Sequence, residues 1–341
     1  MRADASTGIG VGHVMRSMAL AQAWQQDGGV AFFAAAEMPA PLAQRLVSSG
    51  LRVEEVAGQP GSADDLHHTV ALASANGAGC VVADGYAFGA TWQRGVKDAG
   101  LALVVIDDYG HAGPYCADVV LNQNLAADSA LYREREPGTR LLLGSPYTLL
   151  RSEFTTFRGE TRGVPSAGRR ILVTLGGSDP ENVTLEVVRA LATITGPALE
   201  VRILAGGSYP HLAELKSALA AAPDTWEIVV DSAQMPEQMR WADLAISAAG
   251  STSWELAFMQ VPMILIVAAE NQREIGRRLA EAGAAVNLGP LETLRGTAIA
   301  EAVTALLPDH ERRRRMVENG RAVCDGHGAE RVVAAIRELC S

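Results

Sequence analysis

The residue with the greatest chemical reach is His13, which closes the segment Gly8-Ile9-Gly10-Val11-Gly12-His13 and opens an apolar-periodic stretch that also carries Arg16. Glycines let a backbone approach a ligand closely, and the first turn of a helix offers unpaired N–H groups to an anion. The positive end of a helix dipole disfavours imidazolium, so a His placed there is expected to be neutral and able to accept a proton. The same placement suits a His that only caps the helix, and this segment alone does not separate the two. G-x-G-x-G-H is not the dinucleotide spacing G-x-G-x-x-G, and no acidic residue on a following strand stands at the usual distance. Nicotinamide chemistry is therefore not indicated.

Three later segments have a related form. Leu175-Gly176-Gly177-Ser178-Asp179-Pro180 runs from a strand into a new helix. Asp179 suits the N-cap and Pro180 the first helical position, but a turn alone does not explain the two glycines. In Ala249-Gly250-Ser251-Thr252-Ser253-Trp254-Glu255, hydroxyls and helix-start amides suit a diphosphate. Glu255 fits either a capping box or the hydroxyls of a ribose. Asn271 and Gln272 follow a buried strand as polar loop residues. In the first half, Asp84-Gly85-Tyr86 ends a strand and offers Tyr86 as an apolar wall for a sugar ring. Asp107-Asp108 reads as a polar turn, not a metal site, because no third ligand stands nearby.

Short apolar runs alternating with amphipathic stretches position these loops, the pattern of parallel α/β units. Strands are expected at 30–34, 79–83, 101–106, 118–121 and 140–143, with helices at 14–26, 41–49, 63–75 and 91–99. A second series follows, with strands at 170–175, 200–204, 227–230, 244–247 and 263–267. Its helices fall at 182–193, 210–221, 235–241, 251–259 and 273–282. The polar, Gly/Pro-containing stretch between the series is the expected linker. The fold class is thus α/β, two Rossmann-like domains facing across a cleft. The domains are 1–157, a linker at 158–169, 170–325, and a C-terminal helix at 326–341 expected to pack back on the first domain. Residues 298–340 read as helical, with Arg312–Arg315 a solvated face. Only seven residues precede Gly8, so either the first strand is very short or the chain begins inside it; the second is the expectation, and it would leave the first sheet short of a central strand.

Composition narrows the partners. The 341 residues carry 29 Lys and Arg against 39 Asp and Glu, a formal charge of −10. That balance argues against nucleic acid or an anionic membrane as partner. No apolar leader follows Met1, and the longest apolar run, 261–269, falls far short of the ~20 residues that span a bilayer. Cys80, Cys116, Cys324 and Cys340 are widely separated and read as reduced thiols. The expectation is a cytoplasmic protein, plausibly a monomer, with no metal and no cofactor.

Taken together, several motifs resemble the UDP-sugar hydrolases of pseudaminic acid biosynthesis. They are Arg2-Ala3-Asp4-Ala5-Ser6 with the His13 loop and Arg16, Asp84-Gly85-Tyr86, Ile106-Asp107-Asp108, Leu121-Asn122-Gln123-Asn124 and Leu150-Arg151-Ser152-Glu153-Phe154. Leu175 to Asp179, Ile246 to Glu255 and Glu270-Asn271-Gln272 complete the set. The resemblance implies a glycosyltransferase-B-like fold related to the enzyme that adds N-acetylglucosamine during peptidoglycan synthesis. It implies metal-independent, inverting hydrolysis of UDP-2,4-diacetamido-2,4,6-trideoxy-β-L-altropyranose to UDP and free sugar. His13 would be the general base and Asn271 would lie in the substrate site. The second-half loops would hold UDP, with Glu255 at the ribose. Asp4, Gly10, Gly12, Arg16, Tyr86, Gly176, Gly177, Ser178, Gly250, Ser251, Thr252 and Gln272 complete the expected substrate contacts. Two alternatives stay open: an inverting UDP-sugar glycosyltransferase of surface polysaccharide synthesis, and a non-catalytic nucleotide-sugar binder.

Overall fold

A computed structural model of the protein describes every residue except Thr7, Ser178, Pro197, Ser208 and Ser341. The chain divides into two compact units. The first comprises Met1–Thr155 together with the segment that begins at Gly326, and the second is Thr156–Asp325.

In the first unit, seven parallel strands alternate with helices: β1 (Arg2–Ala3), α1 (Gly12–Gln26), β2 (Phe32–Ala35), α2 (Ala40–Ser48), β3 (Arg52–Glu55), α3 (Ala63–Ala75), β4 (Cys80–Asp84), α4 (Ala90–Asp98), β5 (Ala102–Ile106), β6 (Val119–Asn122), β7 (Arg140–Leu143) and the short α5 (Ser152–Thr155). The sheet order is β3-β2-β1-β4-β5-β6-β7. Val104, Val105, Val120 and Leu121 are wholly buried. That is the composition of parallel strands covered on both faces. The central strand is present, correcting the expected gap. Arg2 registers against Ala34 of β2 and Ala83 of β4, so a strand of two residues completes the middle of the sheet. Edge strand β3 escaped the sequence reading because Arg52-Val53-Glu54-Glu55 carries charge instead of an apolar run, as edge strands often do.

The second unit holds β8 (Arg170–Thr174), α6 (Val183–Ala192), β9 (Glu200–Ala205), α7 (Leu212–Leu219), β10 (Trp226–Val230), α8 (Met235–Trp241), β11 (Leu244–Ala248), α9 (Thr252–Phe258), β12 (Met263–Val267), α10 (Arg273–Glu281), β13 (Ala285–Pro290), α11 (Gly296–Leu306) and α12 (His310–Val323). Its sheet order is β10-β9-β8-β11-β12-β13, and its core gathers Ile171, Val173, Ile246 and Ile264 against Val187, Leu215 and Val303. Edge strand β13, ending in Gly289-Pro290, also lay outside the sequence reading.

One expectation is corrected in this region. The Arg312–Arg315 run is not a uniformly solvated face. Arg313 is fully buried, donating from Nε to Leu306 O at 3.0 Å and from Nη2 to Pro165 O at 2.9 Å. The stretch 158–169 is held to the second unit. The Arg162 N–H donates to Gln260 Oε1 at 3.0 Å, and Gly168 N–H to Leu307 O at 2.9 Å. After α12 the chain returns to the first unit as α13 (Gly328–Cys340), where Val332, Val333 and Ile336 pack with Leu20, Val104 and Leu121. Among the described residues no helix is long and apolar enough to cross a membrane, and no disulfide joins the four cysteines.

Candidate functional site

The first sheet changes winding direction between β1 and β4, and open parallel sheets bind ligands beyond the carboxyl ends of the strands at such a point. Ala3 registers against Asp84, so the loop after β1 and the end of β4 are neighbours by topology. In that loop Gly10 takes φ +80°, a left-handed conformation that favours glycine, and its N–H reaches Ser6 O at 2.8 Å. Gly12 has no such backbone demand, and a Cβ there would meet nothing within 4 Å. Among the described residues no neighbour crowds that position.

His13, the second residue of α1, is buried with Nδ1 2.6 Å from Asp84 Oδ1. Asp84 itself is wholly buried. Arg16, one turn along α1, donates Nε to Asp84 Oδ2 and Nη2 to Oδ1, both at 2.7 Å. Its Nη1 reaches Asp108 Oδ1, also at 2.7 Å. Ser17 Oγ donates to Asp84 Oδ2 at 3.2 Å, and the Tyr86 hydroxyl to Asp108 Oδ2 at 3.0 Å. The Tyr86 ring meets His13 edge-on, with centroids 4.9 Å apart.

Buried carboxylates persist as anions only when compensated. Burial alone would raise the Asp84 carboxyl, but the Arg16 guanidinium, then His13 and their hydrogen bonds, hold it below the ordinary carboxylate range. At Asp108 burial is likewise outweighed, mainly by Arg16, and the shift is again downward. Burial would lower Arg16, yet Asp108 and Asp84 push it well above its usual value. Because Asp84 is ionised it can only accept, so His13 Nδ1 donates to it, and in the tautomer with the proton on Nδ1 it is Nε2 that carries the lone pair. That is the arrangement of an oriented general base.

A pH dependence follows with a definite sign. Carboxyls depressed in the folded state add stability that is fully present above their unfolded values, near 4, and is lost as pH falls toward the folded ones. Chemical denaturation between pH 7 and pH 3 should therefore show wild-type stability dropping below about pH 4. Asp108→Asn should be less stable at pH 7 and lose less on acidification. Parallel curves for the two proteins would show that Asp108 carries none of this effect.

Of the residues the sequence singled out in this unit, His13, Arg16 and Tyr86 converge, with Gly10 on the loop that leads to them and Gly12 at the first position of α1. Asp4 does not join them. Its Oδ1 accepts from Ala36 N–H at 2.7 Å and Glu37 N–H at 3.2 Å and pairs with Arg2 Nη1 at 2.7 Å. This ties the β1 end to the loop after β2, which is a scaffold role. Asp84 and Asp108 were missed as site residues. The available signal was Arg16 three residues after His13, a cation on the same helix face as the base and in need of buried carboxylates. Asp107, read as part of a polar turn, is wholly buried and accepts from Tyr109 N–H at 2.8 Å, Gly110 N–H at 2.6 Å and the Tyr115 hydroxyl at 2.7 Å.

The second sheet changes direction between β8 and β11, and the expected nucleotide loops follow those strands and β12. Gly176 takes φ +100°. A Cβ at Gly206 would stand 2.1 Å from Gly177 O, so the backbones after β8 and β9 are in direct contact. Ser178 lies outside the described residues. Asp179 and Pro180 precede the helix instead of starting it. α6 begins at Val183, capped by left-handed Asn182, while the Asp179 carboxylate accepts from Val183 N–H at 3.0 Å and Thr184 N–H at 2.8 Å. Gly250 and Ser251 lead into α9, where Thr252 is the first residue and Glu255 sits half-buried in the first turn. Ser251 makes no side-chain capping bond. Asn271 and Gln272 lie in a single turn after β12, where Gln272 Oε1 accepts from Ala268 N–H at 2.9 Å. A Cβ on Gly250 would be 3.6 Å from Gln272 Nε2, so these two loops adjoin. Among the described residues no group of three or more His, Cys, Asp or Glu is arranged to hold a metal ion.

Two consecutive parallel α/β units, each with its loops gathered at a winding reversal, define the glycosyltransferase-B architecture. The chain is similar throughout to the crystal structure of MurG from Acinetobacter baumannii, with a TM-score of 0.69 at 18% identity over 99% of this chain and 98% of that one. It is also similar to Anabaena HepE solved with UDP and glucose, with a TM-score of 0.65 at 14% identity over 99% and 98%. Residues 170–330 match the glycosyltransferase family 28 C-terminal domain. The spore coat polysaccharide biosynthesis protein SpsG of Bacillus subtilis is 27% identical over 204 residues, 59% of each chain. The UDP-N-acetylglucosamine–N-acetylmuramyl-(pentapeptide) pyrophosphoryl-undecaprenol N-acetylglucosamine transferase of Methylococcus capsulatus is 32% identical over 195 residues, 55% of this chain and 53% of that one. The chain thus spans little more than half the length of these curated relatives.

Proposed function

We propose that the protein is an enzyme acting on a UDP-sugar, and that it hydrolyses the bond between the anomeric carbon and the diphosphate. The observation that carries the reading is His13 Nδ1 at 2.6 Å from an ionised, fully buried Asp84. A ring so held presents Nε2 as proton acceptor. In the reaction a water oxygen bonds to the anomeric carbon and its proton passes to His13 Nε2. The carbon–oxygen bond to phosphate breaks, and its electron pair leaves with UDP. UDP departs readily once its charge is compensated, so no general acid is needed. That compensation is assigned to the amides and hydroxyls around Gly176, Gly177, Gly250, Ser251 and Thr252, with Glu255 on the ribose and Asn271 and Gln272 toward the sugar. The motif resemblance further specifies the sugar as a 2,4-diacetamido-2,4,6-trideoxy pyranose and the reaction as inverting.

Relatives that are N-acetylglucosamine transferases, such as that of Methylococcus capsulatus, favour a second reading, in which a hydroxyl acceptor replaces water. One experiment separates the two. Incubation with a panel of UDP-sugars in oxygen-18 water, without acceptor, should give labelled free sugar and unlabelled UDP. No turnover alone, but turnover on adding an acceptor, would leave the transferase standing and overturn the hydrolase.

A further inference from the structure

Around Arg16 one cation faces two anions. Its Nε and Nη2 take both oxygens of Asp84, and its Nη1 and Nη2 reach Asp108 Oδ1 at 2.7 Å and Oδ2 at 3.1 Å. The bidentate pair with Asp84 already balances the guanidinium. The second carboxylate therefore leaves the cluster with one net negative charge while His13 is neutral. That surplus is held in place from three sides. Asn124 Nδ2 donates to Asp108 Oδ1 at 3.1 Å, Asn122 Nδ2 to the Asp108 backbone O at 3.0 Å, and the Tyr86 hydroxyl to Oδ2 at 3.0 Å. The Asn122-Gln123-Asn124 motif at the end of β6 thus fixes a charge while carrying none.

The surplus sits where the base feels it. Arg16 Nη2 lies 3.2 Å from His13 Nδ1, and His13 stands in the first turn of α1. A neighbouring guanidinium and a helix N-terminus both oppose an imidazolium. Against the burial that would raise it, Arg16 and then His13 hold the Asp108 carboxyl low. Such coupling is reciprocal, so the Asp108 anion favours a proton on His13 by the same amount. Charged groups on the other elements packed against α1 are engaged elsewhere. Arg2 of β1 pairs with Asp4 and Asp65, Glu153 of α5 with Arg45 and Arg151, and Arg337 of α13 with Asp27. His111, on the same loop as Asp108, lies against Asp107.

We infer that Asp108 is the counter-charge of the proton transfer: the carboxylate in excess of what Arg16 neutralises stabilises the imidazolium that His13 becomes. When the proton of water passes to Nε2, the cluster goes from one net negative charge to none. With an amide at position 108 it would go from none to one net positive charge, which a buried site disfavours. Asp108 itself takes no proton. It is a positioning residue that acts by its charge, through Arg16 and His13. The inference rests on the reading of His13 as the base.

NMR titration of the His13 ring in the free protein, assigned against His13→Gln, tests it without any substrate. Asp108→Asn should lower the titration midpoint by about one pH unit or more, the size expected for the loss of one nearby charge. Combining Asp108→Asn with Asn124→Asp moves the carboxylate across one hydrogen bond and should recover at least half of that drop. A purely structural role predicts that two changes leave the site no better than one. In the same proteins the acid limb of the pH profile for UDP release should move with the midpoint, with KM within about threefold. A midpoint that Asp108→Asn does not move, or a drop that the second change does not recover, overturns the inference. Should Asp108→Asn fail to fold, the double variant decides alone: a midpoint within about half a pH unit of wild type upholds the inference, and a larger drop overturns it. Midpoints that move as stated, in a protein that never releases UDP, uphold the counter-charge and sink the hydrolase reading instead.

Discussion

His13→Ala should lower UDP release from a UDP-sugar by about 10²- to 10⁴-fold, the usual contribution of a positioned general base, while UDP affinity stays within a few-fold. The separation follows from where the parts lie. His13 belongs to the first unit, and the loops assigned to UDP follow β8, β11 and β12 of the second. The fold should survive the change. Without the imidazole, Asp84 still accepts from Arg16 Nε, Arg16 Nη2 and Ser17 Oγ, so no buried carboxylate is left bare. Steady-state kinetics, UDP titration and a thermal melt on the same preparation read all three quantities. Loss of UDP affinity in step with turnover would recast His13 as a phosphate-contacting or structural residue. An unaffected rate would remove the base altogether.

What the sequence disclosed, and what it hid, follows the range of each physical signal. Long apolar-periodic stretches were legible: the helix expected at 63–75 and the strand at 263–267 end where α3 and β12 end. Glycine loops were legible because glycine is favoured locally, by φ at Gly10 and Gly176. Strands β1 and β3 were not, because their placement is a tertiary fact. Arg2–Ala3 is a strand only because β2 and β4 flank it, and the charged β3 only because β2 offers an edge. The carboxylates of the site were hidden for the same reason. Asp84 lies 71 residues from His13, and Asp108 92 residues from Arg16. Local reading could see a strand end and a polar turn there. It could not see that both deliver a charge to one guanidinium. Arg313 is the converse case, since a run of four arginines reads as solvated until two backbone segments, at Leu306 and Pro165, converge on one of them.

The second large effect is expected at Asp84, a positioning residue that acts through His13. Every contact on its two oxygens comes from a donor: His13 Nδ1, Arg16 Nε, Arg16 Nη2 and Ser17 Oγ. Only a carboxylate accepts from all four. In Asp84→Asn the amide nitrogen must face either His13 and Arg16 Nη2 or Arg16 Nε and Ser17, donor against donor in both orientations. If it faces His13, the ring is driven toward the wrong tautomer. If it faces Arg16, the guanidinium loses half of its bidentate grip and a buried cation is undercompensated. Turnover should fall by about 10²- to 10⁴-fold, and folding stability by about 3–5 kcal/mol, the cost of breaking a buried ion pair from one side. Ser17→Ala, which removes only the longest of the four bonds, should change kcat by no more than about threefold. The role is read from the split between constants: kcat must fall with KM and UDP affinity nearly unchanged, measured well below the variant's melting temperature. A variant that melts early yet retains full kcat when folded would show that Asp84 holds the sheet end together and leaves the base alone.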